Sequence, residues 1–248
     1  MRYLVLSDIH SNLEALEQVL EAARDHFDRV VCLGDLVGYG PDPNAVVAKV
    51  RQISSVVIRG NHDKACCGLS SALDFNPLAR LATLWTRQQL SPEHLEYLRQ
   101  LPEGPGSCDG FRMVHGSVKD EDEYIVNLDH AFKEAPEDSA PVTFFGHTHL
   151  QGGFVLTPEG VGKVIDVTVA PEAGTSRLTL QAGSRYLINP GSVGQPRDRD
   201  WRAAFAIFDH EKQHVEYYRT PYDLPKTQEK MLQAGLPAQL IARLEFGR

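Results

Sequence analysis

Short apolar runs of strand length alternate with longer segments of helical periodicity in the N-terminal part of the chain. The first long segment follows Asn12, which can cap a helix, and its apolar residues recur every three or four positions from Leu13 to Phe27. The second begins at Pro43, a residue that suits the first turn of a helix. Because strands and helices alternate, this region predicts a parallel sheet with helical crossovers. The predicted strands cover residues 4–6, 30–33 and 56–58, and the predicted helices cover residues 13–27 and 43–50.

The pattern changes twice further along the chain. Residues 64–110 have helical periodicity, with Ser91 and Pro92 opening one helix, and they separate two strands that end in polar residues. We therefore expect a helical insertion over or beside a functional site. After Gly146 only short strand-like runs follow, which predicts a second, largely antiparallel or mixed sheet packed on the first. These runs cover residues 153–156, 162–167, 177–180, 186–188, 203–208 and 215–219.

The final segment, residues 225–246, has the pattern of two short helices broken at Gly235, and we assign it to packing. No internal repeat, low-complexity tract or linker divides the sequence. We therefore predict a single α/β domain over residues 1–248, with the helical insertion at about residues 64–110.

Polar residues with metal-binding side chains follow five of the apolar runs. Open α/β sheets hold their ligands at the carboxyl ends of the strands, so we expect these residues to converge. Asp8 and His10 should project to one side, because strand residues two positions apart share a face. The five groups are Asp8 with His10, Asp35, Asn61 with His62 and Asp63, His115, and His147 with His149.

The order of these groups resembles the signature of the calcineurin-like metallophosphoesterase superfamily. The blocks of that signature are Asp-x-His, Gly-Asp-x-x-Gly, Gly-Asn-His-Asp, a lone His and Gly-His-x-His, and all occur here in order between Asp8 and His149. Any one block is a weak signal, whereas the ordered set is specific. Residues 33–41 are most similar to the small bacterial and archaeal phosphodiesterase-like branch.

The resemblance implies a layered helix-sheet-sheet-helix sandwich with two mixed β-sheets and a dinuclear metal centre. Asp35 would bridge the two ions, because the two oxygens of a carboxylate can hold cations about 3.5 to 4 Å apart. The residues that match the family's ligands are Asp8, His10, Asp35 and His149 for one ion, and Asp35, Asn61, His115 and His147 for the other.

Mixed nitrogen and oxygen ligands favour two divalent transition-metal ions over magnesium or calcium, which prefer oxygen throughout. Manganese is the ion that we expect, with iron, zinc, nickel and cobalt as alternatives. Two divalent ions bring about four positive charges against the carboxylates of Asp8 and Asp35. The surplus positive charge can accommodate a hydroxide and a phosphate.

The resemblance assigns His62 to catalysis rather than to metal binding. By analogy, His62 binds the phosphate and donates a proton to the leaving oxygen, and Asn61 contacts the phosphate as well as the metal. Asp63 either orients His62 or caps the next helix. Arg197, which follows the glycine-rich stretch 189–194, either binds the substrate or forms a surface salt bridge.

The expected reaction is hydrolysis of a phosphodiester by a metal-bound hydroxide. Serine/threonine phosphatases of the superfamily carry an Asp-Arg pair where this sequence has Gly38 and Tyr39, and the missing arginine would hold a monoester phosphate. A phosphomonoesterase or serine/threonine protein phosphatase is the alternative enzyme. The alternative to an enzyme is a non-catalytic, metal-dependent binding or scaffolding module. Such a module would normally have lost some of the metal-binding residues.

Composition limits the partners. The formal net charge of −8 disfavours a polynucleotide, because nucleic-acid affinity depends on Lys and Arg, and leaves a small phosphorylated substrate. No apolar run is long enough for a membrane span, and the N-terminus lacks a signal-peptide pattern, so we expect a cytoplasmic protein with four reduced cysteines. The oligomeric state stays open.

Overall fold

The computed structural model describes residues 1–136, 139–170 and 174–248. Within these residues, twelve strands form two six-stranded sheets. The strands are β1 (Arg2–Leu6), β2 (Arg29–Cys32), β3 (Val56–Val57), β4 (Gly106–Cys108), β5 (Phe111–Met113), β6 (Val142–Phe144), β7 (Gly152–Leu156), β8 (Gly162–Asp166), β9 (Thr175–Thr179), β10 (Arg185–Asn189), β11 (Ala203–Asp209) and β12 (His214–Thr220).

Both sheets are mixed. The first has the order β3-β2-β1-β11-β12-β9, and its strands β3, β2 and β1 pair in parallel, as the alternating pattern predicts. The second has the order β4-β5-β6-β10-β7-β8, with β5, β6 and β10 in parallel. Antiparallel strands complete each sheet.

The six short strands after Gly146 form as predicted, but the prediction that they build the second sheet is only half right. β7, β8 and β10 join the second sheet, whereas β9, β11 and β12 return to the first. β11 pairs antiparallel with β1, placing Phe208 opposite Tyr3. Alternation of apolar residues identifies a strand but not its neighbour, so this long-range pairing was invisible in the local pattern.

The helices begin where the sequence predicts, with Asn12 accepting a hydrogen bond from the amide of Ala15. The first helix ends at Ala22 rather than at Phe27, because Asp25 has a left-handed backbone (φ 67°) that a helix does not accommodate. The helices are α1 (Leu13–Ala22), α2 (Pro43–Ile53), α3 (Asn61–Cys66), α4 (Pro77–Gln89), α5 (Pro92–Gln100), α6 (Leu128–Glu134), α7 (Leu224–Gln233) and α8 (Ala238–Glu245), with a 3-10 turn at Ala72–Asp74.

Alternating side chains of β1 show how the layers pack. Leu4 and Leu6 join the core beneath α1, α2, α4, α5, α7 and α8, while Tyr3 and Val5 point into the core between the two sheets. A third core packs α6 on the outer face of the second sheet. The predicted helix-sheet-sheet-helix sandwich is therefore confirmed.

The cysteines and the helices can also be compared with the sequence-based expectations. All four cysteines are buried and free, as predicted. Among the residues that the structure describes, no helix combines the length and the apolar character needed to cross a bilayer.

The aromatic core between the sheets generates a stability prediction. Phe144 is fully buried, and its ring centroid lies 5.5 Å from those of both Phe111 and Phe208. Phe144→Ala should lower the free energy of unfolding by about 3–5 kcal/mol, because it removes apolar contacts and leaves a cavity. Urea denaturation would measure this, with Phe132→Ala, whose side chain is 41% exposed, as the control. Equal losses in the two variants would contradict the packing described here.

Candidate metal centre

All of the predicted metal ligands meet where strands of both sheets end. Two groups form: Asp8, His10, Asp35 and His149 in one, and Asp35, His115 and His147 in the other, each with ligand atoms within 4.8 Å of one another. Asn61 joins the second group, since its Oδ1 lies 3.1 Å from Nε2 of His115. All seven side chains are buried, and Asp35 belongs to both groups. The first sheet contributes Asp8 and His10 after β1, Asp35 after β2 and Asn61 after β3, and the second contributes His115 after β5 and His147 and His149 after β6.

The backbone at this centre is left-handed at five of the seven residues, namely Asp8, His10, Asp35, His147 and His149, with φ between 49° and 64°. The expectation that Asp8 and His10 share the face of a strand is therefore wrong. Both lie beyond the end of β1, and positive φ angles, rather than strand alternation, direct their side chains inward. Such conformations cost about 1–3 kcal/mol per residue and persist only where the surrounding fold enforces them.

Asp35 is held so that a single oxygen faces both groups. Its Oδ1 accepts a hydrogen bond from the amide of His62 at 2.8 Å. Its Oδ2 is buried and accepts no hydrogen bond from the described residues, yet it lies 3.5 Å from Nε2 of His10 and 3.4 Å from Nε2 of His115. Oδ2 is therefore the oxygen of Asp35 that lies near histidines of both groups, while Oδ1 holds the amide of His62.

This arrangement fits cations. A buried carboxylate oxygen without a donor is unfavourable unless positive charge is near. Nε2 of His10 and Nε2 of His149 also lie only 3.1 Å apart, so two ring nitrogens are directed at the same small space. A cation that accepts electron pairs from nitrogen and oxygen would satisfy all of these atoms at once.

Four backbone carbonyls set the tautomers of the four histidines. A carbonyl oxygen can only accept, so the ring nitrogen that contacts it must carry the proton, and the other nitrogen is left to face the centre. That other nitrogen is Nε2 in His10, His115 and His149, and Nδ1 in His147. The contacts are Nδ1 of His10 with the carbonyl of Val37 at 3.0 Å, Nδ1 of His115 with Leu33 at 2.8 Å, Nδ1 of His149 with Gln195 at 2.5 Å, and Nε2 of His147 with Asp122 at 3.1 Å.

Without metal, the histidines respond differently to their surroundings. Burial lowers the pKa of His115, but the carboxylate of Asp35 more than offsets this and raises that pKa to about 10. Burial and the charge of His115 together lower the pKa of His147 to about 3. One imidazolium therefore supplies the positive charge beside Asp35, a role that a bound cation would take over.

The loop that orients His147 is held by a buried ion-pair cluster. Glu121 is 5% exposed and accepts hydrogen bonds from Nε of Arg59 at 2.9 Å, with Nζ of Lys64 at the same distance. Its neighbour Asp122 supplies the carbonyl for His147, and the ring of Tyr124 stacks on that of His147 with centroids 3.8 Å apart. Sequence reasoning missed this loop, because an acidic run normally indicates a solvated surface.

His62 lies beside the centre, in the wall of a cavity of about 400 Å³ that Tyr39, Phe75, Tyr124 and His147 also line. Its ring centroid is 4.5 Å from that of Tyr39 and 4.6 Å from that of Phe75. Its Nδ1 is buried against Gly38, where an added Cβ would lie 2.6 Å away, so Nε2 on the opposite edge of the ring faces the cavity. Burial lowers the pKa of His62 to about 4. The region 64–110 does border the site, since Phe75 belongs to it.

Asp63 and Arg197 differ in what their side chains contact. Asp63 accepts from the amides of Gly60 at 3.0 Å and Val37 at 3.1 Å, so it caps α3 and ties down the preceding turn. Burial raises its pKa to about 7. Arg197 forms no salt bridge with the described residues; its Nη2 donates to Gln195 at 2.9 Å, and its Cζ lies 5.8 Å from the ring centroid of Tyr39.

Two glycines of the motifs are required by close approach. A Cβ on Gly60 would lie 2.2 Å from Oδ1 of Asp35, and a Cβ on Gly146 would lie 2.1 Å from Oγ of Ser7. Any side chain at either position would displace groups that shape the centre.

The ion-pair cluster leads to a testable prediction about Glu121. Glu121→Gln should weaken binding at the site formed by Asp35, His115 and His147 by about 10-fold, because the carbonyl that orients His147 loses its anchor. Calorimetric titration of metal-free protein with manganese would measure both sites separately.

Glu103→Gln is the matched control. Glu103 also pairs with Arg59, at 2.9 Å, but it is exposed and its loss should leave both affinities unchanged. Wild-type affinity in the Glu121→Gln protein would show that the cluster does not position His147.

Comparison with known proteins agrees with this geometry. The calcineurin-like phosphoesterase superfamily domain matches residues 1–213. An uncharacterised protein of Methanocaldococcus jannaschii is 35% identical over 98% of this chain and 97% of its own length. The crystal structure of a metallophosphoesterase from Sphaerobacter thermophilus is 40% identical, with a TM-score of 0.85 over 100% of this chain and 99% of its own. A hypothetical protein from Pyrococcus horikoshii, 22% identical, shares the fold with a TM-score of 0.80 over 100% of this chain and 98% of its own. The chain therefore belongs to the calcineurin-like phosphoesterase superfamily.

Proposed function

We propose that this protein is a dinuclear-metal phosphodiesterase. The observation that carries the proposal is Oδ2 of Asp35, a buried oxygen without a hydrogen-bond donor among the described residues, placed between two groups of metal-binding side chains and beside the cavity of His62. The substrate would be a small phosphorylated molecule that enters this cavity.

Seven residues would hold the metals. Asp8, His10, Asp35 and His149 would hold one ion, and Asp35, Asn61, His115 and His147 the other. Two divalent transition-metal ions, with manganese expected, would activate a water molecule and neutralise charge on the phosphate. The carbonyls that accept hydrogen bonds from the four imidazoles would keep the opposite ring nitrogens aimed at the ions, and binding of an ion would displace any proton from them.

His62 would supply the proton that the leaving group needs. Its Nε2 faces the cavity, so it can donate a hydrogen bond to a phosphate oxygen and then a proton to the departing oxygen. A phosphate anion bound beside it would favour the protonated ring, offsetting the effect of burial. The side chain of Asn61 lines the same cavity and would contact the phosphate as well as the metal.

The preference for a diester rests on what surrounds His62. The rings of Tyr39 and Phe75 both contact that of His62 and line the cavity, where an arginine would be needed to hold the extra charge of a monoester. Arg197, whose Cζ lies 5.8 Å from the ring centroid of Tyr39, would contact another part of the substrate.

The first experiment compares two chromogenic substrates. Manganese-loaded protein should hydrolyse bis(4-nitrophenyl) phosphate faster than 4-nitrophenyl phosphate, and a chelator should abolish both reactions. Faster turnover of the monoester or of phosphopeptides would favour the alternative phosphatase. No turnover of the diester with manganese, nickel, cobalt, iron or zinc would refute the enzyme, and fewer than one bound ion per chain would favour a non-catalytic module.

A second experiment separates the role of His62 from metal binding. His62→Asn should keep both ions but slow hydrolysis of alkyl phosphodiesters by about 100- to 10,000-fold, as expected for a lost general acid. Nitrophenyl esters should be affected less, because nitrophenolate leaves without protonation.

Asp35→Asn is the comparison, since loss of the shared carboxylate should abolish binding of at least one ion. Metal analysis and kinetics on both variants would test this. A His62→Asn protein that loses metal as completely as Asp35→Asn, or that retains full activity on alkyl diesters, would refute the assignment.

A further inference from the structure

The side chain of Tyr124 lines the substrate cavity next to a candidate metal ligand. Its ring stacks on that of His147, with the ring planes 22° apart and the centroids 3.8 Å apart. Although His147 covers one face of the tyrosine ring, the residue is still 44% exposed. Both residues line the same cavity as Asn61 and His62. The part of the ring that His147 leaves uncovered is therefore accessible from the space in which the proposed substrate would lie.

The backbone around Tyr124 is anchored on both sides. On one side, Glu121 is buried in the ion-pair cluster that also orients His147. On the other side, Ile125 belongs to the core of the second sheet, and Nδ1 of His130 lies 2.8 Å from the carbonyl oxygen of Tyr124. A ring held in this way loses little conformational freedom when a ligand stacks on it, so more of the contact energy contributes to affinity.

The charges of the cavity suit an uncharged group beside the phosphate. Among the described residues that line the cavity, none is a lysine or an arginine, whereas Asp74 and Asp122 both belong to its wall. Lys64 pairs with Asp122 at 2.7 Å, but no described residue forms an ion pair with Asp74. A second phosphate in this space would meet negative charge. A polyphosphate chain is thus disfavoured, and a neutral ring is favoured.

The size of the cavity and its polar groups agree with a nucleobase. Its volume of about 400 Å³ lies within the range of about 300–1,000 Å³ that is usual for sites of small ligands. Ser70, Ser71 and Asn76 also line it. Oδ1 of Asn76 already accepts hydrogen bonds from the amides of Leu78 and Ala79, which leaves Nδ2 as a donor. Hydroxyl and amide groups of this kind form hydrogen bonds with the oxygen and nitrogen atoms at the edge of a base.

We propose that Tyr124 is a stacking platform for a flat, uncharged aromatic group of the substrate. This inference rests on the proposed function, because it takes the phosphate of the substrate to lie at the metal centre. The substrate class is then a small phosphodiester that carries a nucleobase and no further phosphate. Every base has a face that can stack on a tyrosine ring, so selectivity among bases would come from other residues of the cavity.

A binding experiment tests the platform with two probes that differ by the base. Calorimetric titration of manganese-loaded protein should give an affinity about 10-fold tighter for thymidine 5′-monophosphate than for 2-deoxyribose 5-phosphate, an effect of the size expected for one base stacked on an aromatic ring. In the Tyr124→Leu protein this advantage should fall to about 2-fold or less, whereas Tyr124→Phe, which keeps the ring, should retain it. Phe132→Leu, which removes an exposed ring from α6, should also keep the full advantage.

The ratio of the two affinities separates stacking from an indirect effect through His147. If the Tyr124 ring served only to hold His147, its loss would weaken binding of both probes equally and leave their ratio unchanged, and this result would overturn the platform. Equal affinity of the two probes for the wild-type protein would overturn it as well.

Failure of the platform is distinguishable from failure of the proposed function. A protein that prefers the nucleotide through Tyr124 but hydrolyses no diester would keep the platform and lose the enzyme. A protein that hydrolyses diesters without this preference would keep the enzyme and lose the platform.

Discussion

The centre of this protein depends on one buried carboxylate that is only half satisfied. Asp35 receives the amide of His62 on one oxygen and leaves the other facing two sets of ligands. Because the amide belongs to the first turn of α3, the same hydrogen bond fixes the carboxylate and places His62 next to it. Gly60 must lack a side chain for this contact to form. The positions of the Asp35 carboxylate and of the His62 ring are thus set by one interaction between the turn after β2 and the start of α3.

Local sequence patterns were enough to predict most elements and the convergence of the seven candidate metal ligands. Strand and helix periodicities identified β1, α1 and β2, and the ordered motif identified residues whose convergence the structure shows. Predictions of which strands pair were less accurate, because the paired strands can lie far apart in the sequence. The return of β9, β11 and β12 to the first sheet depends on pairing across most of the chain, which no local window contains.

The second limit of sequence reasoning concerns groups that support the ligands. Backbone carbonyls orient the four imidazoles. Because every residue has a backbone carbonyl, the sequence does not show which ones will accept these hydrogen bonds. Glu121 is an ordinary charged residue in the sequence, and only its burial beside Arg59 and Lys64 distinguishes it from a solvated surface charge. Asp8 and His10 converge as expected but for a different geometric reason, because left-handed backbone beyond β1, rather than strand alternation, directs them inward.

The left-handed backbone at five of the seven candidate ligands would link metal binding to the amount of folded protein in a cell. Each such residue draws about 1–3 kcal/mol from a net stability that, in proteins generally, is only about 5–15 kcal/mol. Ions that bind the native state alone restore stability by mass action, in proportion to the logarithm of their free concentration. Metal supply would then govern not only how fast each molecule works but also how long it survives quality-control proteases.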